Sequence, residues 1–178
     1  FPLNAYWEDA RTQVIYRADE IGGSMAIAAL AINVTQVPDR TLENWTIRMK
    51  HVSYGDYSAG GTWESGGWVT VYRQDETFSH AGETWFTFDT PFAYDGTSNL
   101  LVDFSFDGVS YGTDGWTECT YVGKTRTLHG ASDSGAGDPR TWSGTSPDPS
   151  VEQYIVNIRL QSAAQVGLTP ASVEMVDG

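Results

Sequence analysis

Hydrophobic side chains recur at every second position over most of this chain. In Trp45–His51, Trp45, Ile47 and Met49 alternate with Thr46, Arg48 and Lys50. In Leu100–Phe106, Leu100, Val102, Phe104 and Phe106 alternate with Asp103 and Ser105. In Tyr154–Leu160, Tyr154, Val156, Ile158 and Leu160 alternate with Asn157 and Arg159. A period of two predicts strands with one face on a core and one toward solvent. On that reading Asp103 takes a solvent-facing position, and the strand residues Trp45, Trp85, Phe86, Phe88, Phe104 and Phe106 bury their rings. Further strands are predicted at Thr12–Arg17, Met25–Val34, Gly67–Arg73, Thr84–Phe88 and Glu118–Val122, with a weaker one at Thr125–His129. The main exception is Asn4–Ala10, which has room for a helical turn.

Turn residues punctuate the pattern where hairpins need them. Gly22-Gly23, Gly60-Gly61, Gly66-Gly67, Asp95-Gly96, Asp107-Gly108 and Asp114-Gly115 all tolerate positive φ. Eight or nine short strands so separated predict an all-β fold, a two-sheet antiparallel β-sandwich of jelly-roll type. One domain is expected over residues 1–160, with 161–178 as a linker or the start of a following module. Two stretches are too long for hairpin loops. Ser53–Gly67 is rich in Gly, Ser, Tyr and Trp, and Gly130–Ser150 is rich in Gly, Ser, Asp and Pro around Trp142. Loops of this length in a compact domain tend to carry function or to pack closely.

Charge narrows the partners. The 178 residues hold 23 acids against 10 lysines and arginines, a net charge of −13. Nucleic acid needs clustered cations, so it is not an expected partner. Nor is insertion into a membrane, since no apolar run approaches the length of a spanning helix. The surplus carboxylates suit calcium, which takes oxygen ligands from loops. Asp107, Asp114, Asp133 and Asp138 are the candidate ligands for a structural Ca²⁺. Zinc spacings of the H-E-x-x-H or C-x-x-C kind do not occur. Cys119 is the only cysteine, so the chain forms no internal disulfide.

The run Phe86-Thr-Phe-Asp-Thr-Pro-Phe-Ala-Tyr-Asp-Gly-Thr-Ser-Asn-Leu-Leu-Val-Asp-Phe104 resembles a signature of β-sandwich accessory domains. Those domains occur in large secreted or surface-displayed bacterial proteins, beside hydrolases, proteases and adhesion modules. Thr12–Glu20, Asn44–Lys50 and Asp138–Pro147 resemble the same group, so the likeness spans roughly residues 10–160. It implies the fold, a secreted or cell-surface setting and neighbouring domains in a longer chain. By analogy of setting it also implies carbohydrate binding. It carries over no catalytic residues.

Aromatic residues are the strongest functional signal, with 7 Trp, 9 Tyr and 7 Phe. Flat rings stack on the C–H faces of sugars while carboxylates and amides bond the hydroxyls. Tyr54, Tyr57, Trp63, Glu64 and Trp68 form one candidate ligand-binding group. Tyr111 and Trp116, near Asp114, Glu118 and Tyr121, form a second, and Trp142 stands in the late loop. The leading expectation is therefore a non-catalytic glycan-binding domain that works by aromatic stacking. One alternative is a structural or adhesion module whose loop rings are buried. Another is a small glycan hydrolase or lyase using two of Glu64, Glu76, Glu83, Asp103 and Glu118.

Overall fold

The computed structural model describes residues 1–57, 60–133 and 135–163. The strands are β1 (Asp9–Tyr16), β2 (Met25–Gln36), β3 (Leu42–Val52), β4 (Val69–Glu76), β5 (Gly82–Tyr94) and β6 (Asn99–Asp107). They continue as β7 (Trp116–Thr117), β8 (Cys119–Tyr121), β9 (Thr127–Ser132), β10 (Ser150–Glu152), β11 (Tyr154–Val156) and β12 (Ile158–Ser162). One short helix, α1 (Ala18–Ile21), follows β1. The chain is an all-β sandwich. A large sheet runs in the order β10-β9-β1-β6-β3-β4, and a small sheet in the order β12-β2-β5, with β7 against β2. A two-stranded ribbon, β11-β8, lies beside them. Every strand pair is antiparallel.

Alternation decides which side chains meet between the sheets. Val14, Tyr16, Trp45, Ile47, Met49, Leu100, Val102, Phe104 and Phe106 from the large sheet face Ile27, Leu30, Ile32, Phe86, Phe88 and Phe92 from the small one. Trp45 sits at the centre, with Phe78, Phe86 and Phe104 at ring separations of 5.9, 5.8 and 6.0 Å. Such contacts add a little to the area each ring removes from water.

The structure departs from the pattern in four places. Among the described residues it has twelve strands rather than eight or nine, several of them only two or three residues long. Asn4–Ala10 forms turns and bends and then enters β1 at Asp9, without a helix. Tyr154–Leu160 is not one strand. It breaks at Asn157, so that β11 pairs with β8 while β12 pairs with β2. Tyr154 is exposed as a result, and Ile155 and Val156 are both buried. The strand β12 also runs through Ser162, past the expected boundary at residue 160. The rest of the expected linker, 164–178, lies outside the described residues.

One pair of carboxylates makes the fold sensitive to pH. Asp9 is 2 % exposed and lies directly opposite Asp107 in the β1–β6 register. Burial, reinforced by the Asp107 charge, pushes the Asp9 carboxyl up from 3.8 to about 7. The folded state thus holds a proton that the unfolded chain releases. The stabilisation is complete below about pH 3.8 and is lost as pH rises through about 7. The Asp9 contribution to melting temperature should fall over that interval, and Asp107→Asn should reduce that fall relative to the parent protein by removing the facing charge. Parallel profiles for the two proteins would contradict this.

Candidate functional site

The outer face of the large sheet was expected to meet solvent, and over β1, β6 and the middle of β3 it does not. Arg11, Gln13 and Ile15 of β1, Leu101, Asp103 and Ser105 of β6, and Arg48 of β3 are all buried there. The two long loops cover them. Tyr57, Trp63 and Trp142 are 9, 3 and 2 % exposed, in a second apolar cluster with Ile15, Val52, Leu101 and Leu128. Tyr54 and Trp68 are half-buried at its margin. The approach is close enough to require glycine at Gly61 and leaves little room at Gly130. A Cβ on Gly61 would fall 1.9 Å from Leu128 Cδ2, and one on Gly130 would fall 3.0 Å from the Trp63 ring.

A buried ionic network fastens these loops. Asp103 accepts four hydrogen bonds. Arg11 Nε (2.6 Å) and Gln13 Nε2 (2.9 Å) donate to Oδ1, and Arg48 Nε (2.9 Å) and Nη2 (2.8 Å) donate to Oδ2. The remaining donors reach loop backbone. Arg11 binds the carbonyls of Trp142 (2.6 Å) and Glu64 (2.9 Å), and Arg48 binds that of Arg140 (3.0 Å). Gln13 and Glu64 exchange side chain–backbone bonds in both directions. Trp68 receives the guanidinium of Arg48 and the ammonium of Lys50, each 5.1 Å from its ring centre. Lys50 also pairs with Glu64 Oε2 at 2.7 Å. Tyr57, Trp63 and Trp142 therefore act as internal packing. With its ring held against these cations and Glu64 tied to Lys50, Trp68 belongs to the same fastening.

The four aspartates expected to hold calcium are spread over separate tasks. Asp107 faces Asp9, and Asp114 accepts from the Tyr6 N–H (2.8 Å). Asp133 accepts from the Glu8 N–H (3.4 Å), while Asp138 pairs with Arg140 at the start of a 3-10 turn, Pro139–Thr141. Among the described residues, no three His, Cys, Asp or Glu side chains are grouped to hold an ion.

Besides the β8–β11 ribbon, where Tyr121 and Tyr154 are 60 and 47 % exposed with ring centres 5.3 Å apart, two surfaces expose aromatic rings. At one end of the sandwich the N-terminal segment runs beside the 108–115 loop, through the bonds Gly112 N–H to Ala5 O and Gly115 N–H to Leu3 O. Tyr6, Trp7, Val109 and Tyr111 project from these segments, at 62, 39, 83 and 71 % exposure. Sequence alone singled out Tyr111 but not Tyr6 or Trp7.

The second surface is the outer face of the small sheet. Ala31 lies at its centre, with Trp85 opposite on β5 and Arg159 opposite on β12. Trp85 is 39 % exposed, against the expectation that it would bury itself. Adjacent strand residues point to opposite faces, and Phe86 takes the core position. Glu83 clamps the row. It accepts Trp85 Nε1 on Oε2 at 2.8 Å and Arg159 Nη1 on Oε1 at 2.7 Å. Arg159 in turn lies 5.8 Å from the indole centre. Hydrogen bonds from Arg159 and Trp85 hold the Glu83 carboxyl below its ordinary range, so it stays ionised as an acceptor. Beyond it, Asn33 Nδ2 donates to Glu118 Oε2 at 2.9 Å, and Asn157 accepts from Thr120. A depression of 220 Å³ opens among Ala31, Asn33, Glu83, Glu118, Asn157 and Arg159. Trp116 is 57 % exposed and pairs with Gln36 further along β2. Alternation along Trp116–Glu118 puts its ring on the same face as Glu118.

Larger clefts lie beside α1. One, of 590 Å³, is lined by Arg17, Lys124 and Arg126 but equally by Asp19, Glu20 and Asp56. Arg126 there is already committed, giving both Nη atoms to Glu20. Neither that cleft nor its 450 Å³ neighbour, lined largely by apolar side chains, presents an exposed aromatic ring. Among the described residues no helix is long and apolar enough to cross a membrane. No family model, no curated protein and no solved structure matches this chain.

Proposed function

We propose that this domain binds a polysaccharide on the outer face of its small sheet and performs no chemistry on it. The observation that carries the reading is Trp85. It is an exposed indole on a rigid strand, locked by Glu83 and Arg159, beside a depression lined by carboxylates and amides. An indole face suits the C–H face of a sugar ring. Carboxylates accept hydroxyl protons, and amides both give and accept, so the lining matches what sugar hydroxyls need. Hydrolysis asks for something else. One carboxyl of a pair must stay protonated to serve as a general acid, a part that Glu83, held ionised by Arg159 and Trp85, does not suit.

In the setting implied by the sequence resemblance, such a domain works outside the cell, anchoring a longer bacterial protein to a glycan. A protein-contact role is the second reading. The strip of Tyr6, Trp7, Val109 and Tyr111 favours it, because contiguous exposed apolar groups commonly mark protein interfaces.

Native affinity electrophoresis on a panel of soluble polysaccharides, with and without EDTA, separates the two. Retardation by one polymer class, abolished by Trp85→Ala, is the expected result. Loss of retardation in EDTA would add the calcium requirement expected from the acidic composition. Unchanged migration with every polymer would overturn the glycan reading and favour the protein-contact one.

A further inference from the structure

We infer that the groove holds a stretch of an uncharged polysaccharide, several sugar rings long, laid across β2 from Trp85 to Trp116. This rests on the glycan-binding reading and specifies its ligand. The placement of the two exposed indoles carries it. Trp85 stands opposite Ala31 on one side of β2, and Trp116 opposite Gln36 on the other. About four residues of rise, one being taken up by the register shift between Val34 and Gln36, and two strand spacings put their backbones roughly 16 Å apart. No single pyranose ring covers that distance.

The intervening surface is polar. Asn33 and Glu118 lie between the two tryptophans, with Glu83 and Asn157 on either side of β2. Rings resting on the two indoles thus leave the middle rings over groups that bond hydroxyls. The depression beside Ala31 is open, at 220 Å³, and its lining includes no aromatic side chain to stop a chain end. A chain can therefore run through it from one indole toward the other.

Charge selects the polymer. The lining contributes two carboxylates, Glu83 and Glu118, against the one guanidinium of Arg159. Arg159 is itself engaged by Glu83, and the whole chain carries −13. A polymer bearing carboxylates or sulfates would meet a lining with more negative than positive charge, its one guanidinium already paired with Glu83, so neutral sugars fit.

The test is calorimetric titration of the domain with a ladder of neutral oligosaccharides, from disaccharide to octasaccharide, cut from the polymer that retards it. Affinity should climb with length until both tryptophans are bridged. Trp116→Ala should weaken the longest oligomers about tenfold and leave the shortest unchanged. Trp85→Ala should weaken both. Trp116 is more than half exposed, so its removal should leave the melting temperature intact. Affinity independent of length, or a length dependence unaltered by Trp116→Ala, would overturn the inference and leave glycan binding at Trp85 standing. Selective retardation by acidic polymers would overturn its charge assignment. If no polymer retards the protein, the glycan reading and this inference fall together.

Discussion

Asp103→Ala should lower the melting temperature by roughly 10 °C. Breaking a buried ion pair by removing one partner costs about 3–5 kcal/mol, and each kcal/mol shifts a domain of this size by about 2–4 °C. The effect is large because Asp103 is, among the described residues, the only carboxylate bonded to two buried guanidiniums. Without it Arg11 and Arg48 remain in the apolar layer as uncompensated like charges. The same two side chains hold the carbonyls of Glu64, Arg140 and Trp142. The variant should therefore loosen both covering loops as well as lose stability. Limited proteolysis should cut it within residues 60–68 and 135–149 before the sheets. A drop of less than about 2 °C, within which re-pairing by water would have to cover both cations, would contradict the role given to this network.

The second large effect is a dissociation between two tryptophans. Trp63→Ala should cost about 3–5 kcal/mol, the range for emptying a large aromatic site in a packed core. Its ring lies over Gly130 and beside Trp142, 5.6 Å away, and its Nε1 donates to the Pro147 carbonyl at 2.7 Å. Polysaccharide retardation by the surviving folded protein should be unchanged. Trp85→Ala should do the reverse, moving the melting temperature by about 2 °C or less while retardation is lost. Its ring caps the small sheet from outside, and surface changes of that kind cost little. If Trp63→Ala removed binding at full stability, the ligand face would belong to the loops.

The strands were legible because a two-residue period needs no tertiary information. Trp45, Ile47 and Met49 had to share a face, and so did Leu100, Val102, Phe104 and Phe106. The same rule, carried one step further, places Trp85. With Phe86 next to it on the strand, only one of the pair can face the core. What sequence could not show is the third layer. An alternating strand with Arg11, Gln13, Arg48 and Asp103 on its outer face looks like a strand meeting water. The distant residues that cover it, Trp63 and Trp142, lie 40 or more positions from Asp103, Arg11 or both. Their rings read as exposed platforms for the same reason, since nothing local marks a loop that folds back on a sheet. The break at Asn157 was hidden too, because β11 and β12 continue one alternating pattern and part only in their partners, β8 and β2.

The indole N–H signals test the placement of the ligand most directly. The chain has 7 tryptophans, each giving one resonance in a nitrogen–proton correlation spectrum. On titration with the retarding polysaccharide, the resonances of Trp85 and Trp116 should shift, while those of Trp45, Trp63, Trp68 and Trp142 stay in place. Shifts at Trp63, Trp68 or Trp142, with Trp85 unmoved, would return the binding face to the loop cluster and contradict the account.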